Sequence, residues 1–115
     1  MHSEGLKDGL ILWTIVAPDI DGSRSLTEVS VKARRPVKMQ CDVSGIPPPE
    51  VTWTKDGAAV SETRRRRLLR DGRVLVLAAA LVDDAGLYVC TAQNVAGVER
   101  KRFQLHVLGT SVTVL

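Results

Sequence analysis

Apolar and polar residues alternate along most of this chain. Val37, Met39, Cys41 and Val43 alternate with Lys38, Gln40 and Asp42, the period of two that marks a strand with one buried face. The same rule sets Val51 and Trp53 on the inner side of a second strand and Leu75 and Leu77 on that of a third. Tyr88, Cys90 and Ala92 line a fourth, and Phe103, Leu105 and Val107 a fifth. Turn signals separate these runs. Residues 45–50 carry Pro47, Pro48 and Pro49 in succession, Asp56-Gly57 and Asp71-Gly72 are hairpin dipeptides, and residues 94–97 end in Gly97. Residues 15–20 begin the pattern, with Pro18 suited to an edge strand; residues 26–31 continue that edge, and 64–69 form a further strand. Ala80 or Leu81 extends the core past the third strand. Residues 1–13 show no clear period and are expected to be an extension, ordered in part at best. Residues 111–115 have strand propensity but read as a linker.

Some positions in this pattern are chemically particular. Tyr88 stands two residues before Cys90, so both side chains point to one face of an extended strand. A buried tyrosine needs a partner for its hydroxyl, and the tight stretch Asp84-Ala85-Gly86 just upstream offers backbone to bond. Cys41, then Trp53, then Tyr88 and Cys90 resemble the spacing of an immunoglobulin sandwich. Residues 41–57, 71–77 and 90–97 are similar to the intermediate (I-set) branch of that family, and the likeness covers residues 16–108. Among I-set domains the chain reads most like a module of the hemicentin-type extracellular matrix arrays; titin-like intracellular arrays share most of the same motifs.

The resemblance implies an all-β Greek-key fold, an immunoglobulin-like sandwich of two antiparallel sheets, A-B-E-D and A′-G-F-C. Trp53 would pack on a Cys41–Cys90 disulfide, and Asp84, Gly86 and Tyr88 would form the rest of the fold signature. An arginine near the start of strand D would pair with Asp84, and Arg64, Arg65, Arg66 and Arg67 are the candidates. The family commonly has glycine in the turn that holds Arg34 and Arg35 here, so that turn departs from the pattern. The expected division is an extension or linker at 1–14, one I-set domain at 15–108 and a linker at 109–115.

Composition narrows the setting. A chain of 115 residues, 44% hydrophobic and 25% charged, suits one globular domain. With four Phe, Trp or Tyr residues in all, the core must be aliphatic around Trp53. Two cysteines without metal-site spacing argue for one disulfide rather than zinc. Closing a loop of about fifty residues contributes on the order of 4 kcal/mol. Such a bond persists outside the cell, although two reduced cysteines also pack acceptably as small hydrophobes. No stretch reaches the length of a membrane span. The apolar run at 9–17 lacks the basic flank and small-residue cleavage site of a signal peptide and reads as a linker or first strand.

Candidate chemistry is confined to charge. Basic clusters stand at Arg64 to Arg67 with Arg70, at Arg34-Arg35, and at Arg100-Lys101-Arg102. Apart from the arginine that pairs with Asp84, the cluster Arg64, Arg65, Arg66, Arg67 and Arg70 has two readings. It binds an acidic partner such as heparan sulfate, since guanidinium forks suit sulfate oxygens, or it is a solvated strand that discourages edge pairing. Nucleic acid is not expected, because no aromatic residues are interleaved with the cations. His2 falls in the N-terminal segment and His106 points outward into solvent; Asp83 and Asp84 are adjacent and face apart. Neither catalysis nor a cofactor nor a metal is expected. The function expected is a non-catalytic interaction and spacer module of a secreted matrix or adhesion protein. Its partners would be proteins or neighbouring immunoglobulin domains, without membrane insertion. The alternatives are an intracellular sarcomeric or cytoskeletal domain with reduced cysteines, and a sulfated-glycan-binding domain.

Overall fold

The computed structural model describes residues 3–7 and 10–109, with side chains from residue 14 onward. In chain order the strands are β1 (Ser3–Lys7), β2 (Leu10–Trp13), β3 (Val16–Ile20), β4 (Leu26–Lys32), β5 (Val37–Gln40) and β6 (Val43–Ile46). They continue with β7 (Glu50–Lys55), β8 (Ala58–Ala59), β9 (Arg66–Leu69), β10 (Val74–Leu77), β11 (Gly86–Asn94) and β12 (Gly97–Leu108), and one turn of 3-10 helix, Val82–Asp84, precedes β11. One sheet runs β4-β12-β11-β7-β8, a second β5-β10-β9, and β3 pairs with β6. The alternation seen in the sequence sorts their side chains. Met39, Leu75 and Leu77 from one sheet meet Trp53, Tyr88, Phe103 and Leu105 from the other in a single buried cluster.

The two expected layers are present, with differences that have local causes. Strand B is split into β5 and β6 because it changes partner at its middle. The Cys41 amide donates to the Arg73 carbonyl at 2.8 Å, while the Asp42 carbonyl accepts from Asp21 at 3.1 Å. Strand A, β3, therefore pairs only with the β6 half. Strand A′, β4, lies parallel to β12, and the remaining ladders are antiparallel. A short C′ strand forms as β8. Asp56 and Gly57 take φ of 50° and 87°, the positive pair that a two-residue hairpin needs, and Lys55 then faces Ala58.

Strand D starts two residues later than expected, at Arg66 rather than Arg64. The Thr63 hydroxyl accepts from the amides of both Arg65 and Arg66, each at 3.2 Å, and this local bonding competes with the ladder. The four arginines thus do not share one strand. Ala80, not Leu81, extends the core: Ala80 is fully buried and Leu81 is 40% exposed. Arg34 adopts φ of +73°, the conformation for which the family's glycine is suited. At the N-terminus, where no period was visible, β1 and β2 pair antiparallel; Leu10–Trp13 is a run of strand-prone apolar residues that such a ladder accommodates. His2 and the strand-prone segment 111–115 lie outside the described residues, as does all of the expected C-terminal linker except Gly109.

Candidate interaction site

The surface is presented by a rigid pin between the sheets. Cys41 and Cys90 form a disulfide with their Cα atoms 6.8 Å apart, linking the β5–β6 junction to β11. Trp53 sits opposite Cys90 in the β7–β11 register and tilts against Phe103 at 5.5 Å between ring centres. Its indole N–H donates to the Gly72 carbonyl at 2.6 Å, so the buried ring also anchors the β9–β10 turn. Tyr88, fully buried, donates its hydroxyl to the Asp84 carbonyl at 2.6 Å, the local backbone partner its position called for. Burial pushes this hydroxyl up to about 12, with the Asp84 charge adding to the effect.

Among the four candidates, Arg65 faces Asp84. Arg65 Nη1 donates to Asp84 Oδ2 at 2.9 Å and Nη2 to Oδ1 at 3.3 Å, and Nη1 also reaches the Ala79 carbonyl at 3.2 Å. The Leu81 amide adds a further bond to Asp84 at 2.8 Å. Burial alone would raise the Asp84 carboxyl. The Arg65 fork, the Leu81 amide and the nearby Arg66 charge outweigh burial and hold it below the usual range. Gly86 is required beside this corner. Its φ is +153°, and a Cβ there would stand 2.6 Å from Asp56 Oδ2. That carboxylate accepts from the Leu87 amide at 2.9 Å, which lowers the Asp56 pKa, with Lys55 contributing. This clamp of the β7–β8 turn on β11 had no signal in the sequence pattern.

The remaining cations separate by face. Arg64 is exposed ahead of β9. Arg66 is half-buried, and its Nε is enclosed with no bonding partner. Arg67 is exposed on the outer face of β9, and Arg70 is exposed in the β9–β10 turn. Arg34 and Arg35 back onto the end of the same sheet. The Arg34 amide donates to the Ala80 carbonyl at 2.6 Å, and the Arg35 carbonyl accepts from Ala80 at 2.9 Å. Arg100 and Arg102 face out from β12 in the other sheet, and Lys101 between them is not a surface cation. It is 7% exposed, and its ammonium donates to Thr27 Oγ1 at 2.7 Å and the Gly22 carbonyl at 3.1 Å, 5.0 Å from the centre of the Phe103 ring. The alternation Lys101, Phe103, Leu105 already carried that signal.

His106 is not simply solvated: its Nε2 lies 2.9 Å from Glu28 Oε1 across the β4–β12 pair. Among the described residues no cluster of His, Cys, Asp or Glu is placed to hold a metal, and no helix is long and apolar enough to cross a membrane. A groove of about 870 Å³ runs between the proline loop and the β9–β10 turn. Its walls set Glu50, Glu62 and Asp71 against Arg70 and Arg73, so acidic side chains outnumber basic ones there.

Comparison with known proteins places this geometry. The family profile described as an immunoglobulin I-set domain matches residues 21–107. Human hemicentin-1 is 46% identical over 106 residues, which is 90% of this chain and 2% of hemicentin-1. A Caenorhabditis elegans titin homologue is 37% identical over 101 residues, 85% of this chain and, to the nearest per cent, 0% of its own. A crystal structure of a titin and obscurin-like 1 immunoglobulin complex contains a chain that superposes with a TM-score of 0.74. The two are 33% identical, and the match covers 84% of this chain and 99% of that one. Another, of titin domains in complex with telethonin, gives a TM-score of 0.76 at 27% identity, over 85% of this chain and 50% of that one. The chain therefore spans a very small part of the curated relatives it matches.

Proposed function

The chain belongs to the immunoglobulin I-set family, and from that premise we propose that it is a non-catalytic interaction and spacer module of an extracellular matrix or cell-adhesion protein. Residues 15–108 would be the working module, between an extension or linker at 1–14 and a linker at 109–115. The observation that carries this reading is the Cys41–Cys90 disulfide, together with the likeness to hemicentin-1. A bond of this kind persists in oxidising compartments and is rare in the cytosol. Partner proteins or neighbouring immunoglobulin domains would contact the outer face of the β4-β12-β11-β7-β8 sheet and the loops at its ends. The test is to trap thiols by alkylation at lysis in the native source. Cysteines released only by reductant support the reading; two free thiols overturn it.

A second reading is an intracellular structural domain of a sarcomeric or cytoskeletal array, with Cys41 and Cys90 reduced. The titin likenesses support it. Free thiols in the same trapping experiment would select it and direct partner searches to filaments.

A further inference from the structure

Two basic clusters that lie thirty residues apart in the chain share one face of the fold, because β10 lies between β5 and β9. Val76 faces Lys38 on one side and Arg67 on the other, and all three point away from the core, since Leu75 and Leu77 on either side of Val76 are fully buried. Lys38 and Arg67 are thus two strand spacings, about 10 Å, apart. Strands β5 and β9 run in the same direction, both being antiparallel to β10. Arg35, ahead of β5, and Arg70, in the turn after β9, lie beyond opposite ends of these two strands. All four are exposed. They mark an oblique stripe from one corner of this sheet to the other.

Carboxylates gather at the Arg70 end of this stripe, where Glu50, Glu62 and Asp71 share its groove and Asp42 lies on its other side. The other residues in the same outward rows are Gln40, Leu69, Val74 and Val76. Of the nearby carboxylates, Glu62 accepts from the Leu68 amide at 3.2 Å and Asp42 from Gln40 Nε2 at 2.8 Å. Asp71 lies in the turn beside Arg70. Arg65, spent on Asp84, is not part of the stripe.

We infer that this face, through Arg35, Lys38, Arg67 and Arg70, binds a linear sulfated glycosaminoglycan laid obliquely across β5, β10 and β9. Exposed cations along one sheet whose outward rows carry no carboxylate match a flexible chain with repeated sulfates, and three of the four are arginines with planar forks. The inference rests on the extracellular reading for its setting, but its test does not. Thiol state decides the compartment, and the binding measurement decides the surface.

The test is binding of a defined heparin oligosaccharide to the intact chain over a range of salt. Lys38→Gln/Arg67→Gln removes two outward charges that make no contact with the core. It is compared with Arg100→Gln/Arg102→Gln, which removes the same charge from the other sheet. The expected result is a loss of about tenfold in affinity and a shallower salt dependence for the first pair, and less than about threefold for the second. Hyaluronan, carboxylated but unsulfated, is expected not to bind. Equal losses from both pairs would mean bulk charge, equal binding of hyaluronan would mean no sulfate site, and absent binding at about 0.1 M salt would mean no site. Each overturns the inference. Unchanged melting temperatures in both variants keep the comparison one of surfaces.

Discussion

Arg65 and Asp84 meet as a fork, Nη1 on Oδ2 at 2.9 Å and Nη2 on Oδ1 at 3.3 Å, and this contact fastens the start of strand D to the E–F corner. The two ends are unequal. The Arg65 side chain is 42% exposed and that of Asp84 8%, so solvent screens the arginine's contribution more than the carboxylate's. Arg65→Ala is expected to lower stability only slightly, because solvent screens an exposed ion pair. Asp84→Ala also strips the Leu81 amide of its acceptor and should cost about 3 kcal/mol. Urea unfolding of the two variants measures both. A larger loss from the arginine would mean that the carboxylate is not the anchor of this corner.

The same carboxylate makes stability fall in acid. Asp84 and Asp56 are both held below 3.8 in the folded chain, so the unfolded chain takes up their protons first. Their contribution is present in full at neutral pH, begins to fade near about pH 5 and is lost as pH drops through 3.8 towards the folded values. Asp84→Asn should be less stable at pH 7 and show a flatter decline between pH 5 and 3. Urea midpoints across that range check this. Parallel declines in both proteins would assign the acid sensitivity elsewhere.

Tyr88 is the one tyrosine in the chain, so its ionisation can be followed without interference from another. Held at about 12 by burial and the Asp84 charge, it should show no phenolate absorbance near its ordinary value of 10.0 while the fold is intact. The raised value means that the folded chain keeps its proton longer. Stability from this group is therefore complete below pH 10 and declines as pH rises from there towards 12. Tyr88→Phe keeps the ring but leaves the Asp84 carbonyl without its donor, at a cost of about 1–2 kcal/mol. A phenolate appearing near pH 10 in folded protein would contradict the buried hydrogen bond.

Arg34 holds φ at +73° with a side chain poorly suited to it. Arg34→Gly should stabilise the chain by about 1 kcal/mol, and Arg34→Ala, which keeps the strain, should not. Thermal melts separate the two. Equal effects would mean that the gain comes from lost charge and not from backbone relief.

These cases show what the sequence made legible. Cys41, Trp53, Tyr88 and the alternating strands could be placed because each has a distinct residue type in a period of two. Which arginine meets Asp84 could not, since that depends on where strand D begins, and Thr63 sets that by bonding two amides. The union of Arg35 and Lys38 with Arg67 and Arg70 was hidden for a different reason. It needs β10 to lie between two strands distant in sequence, and no local pattern encodes that order. The His106–Glu28 contact likewise depends on the parallel register of β4 and β12. Lys101 differs from these. The period pointed it inward, and its charge obscured that signal.

Lys101 tests how a buried cation is tolerated without a carboxylate. Its ammonium donates to Thr27 Oγ1 and the Gly22 carbonyl and stands over the Phe103 ring, so β12 holds the β3–β4 crossover through it. Lys101→Met keeps the apolar stem and the ring contact but takes its donor from Thr27 Oγ1, while the Gly22 carbonyl keeps the Ser25 amide at 3.2 Å. The expected cost is about 1–2 kcal/mol, with faster amide exchange across residues 21–27 than across the β11–β12 ladder. Adding Thr27→Val removes the orphaned group and should recover part of the loss, a coupling expected of neighbours that share a contact. If Lys101→Met were instead more stable, the cost of taking the ammonium out of water would exceed what its two acceptors and the ring return, and the residue would serve to fix the crossover's position rather than to stabilise the fold.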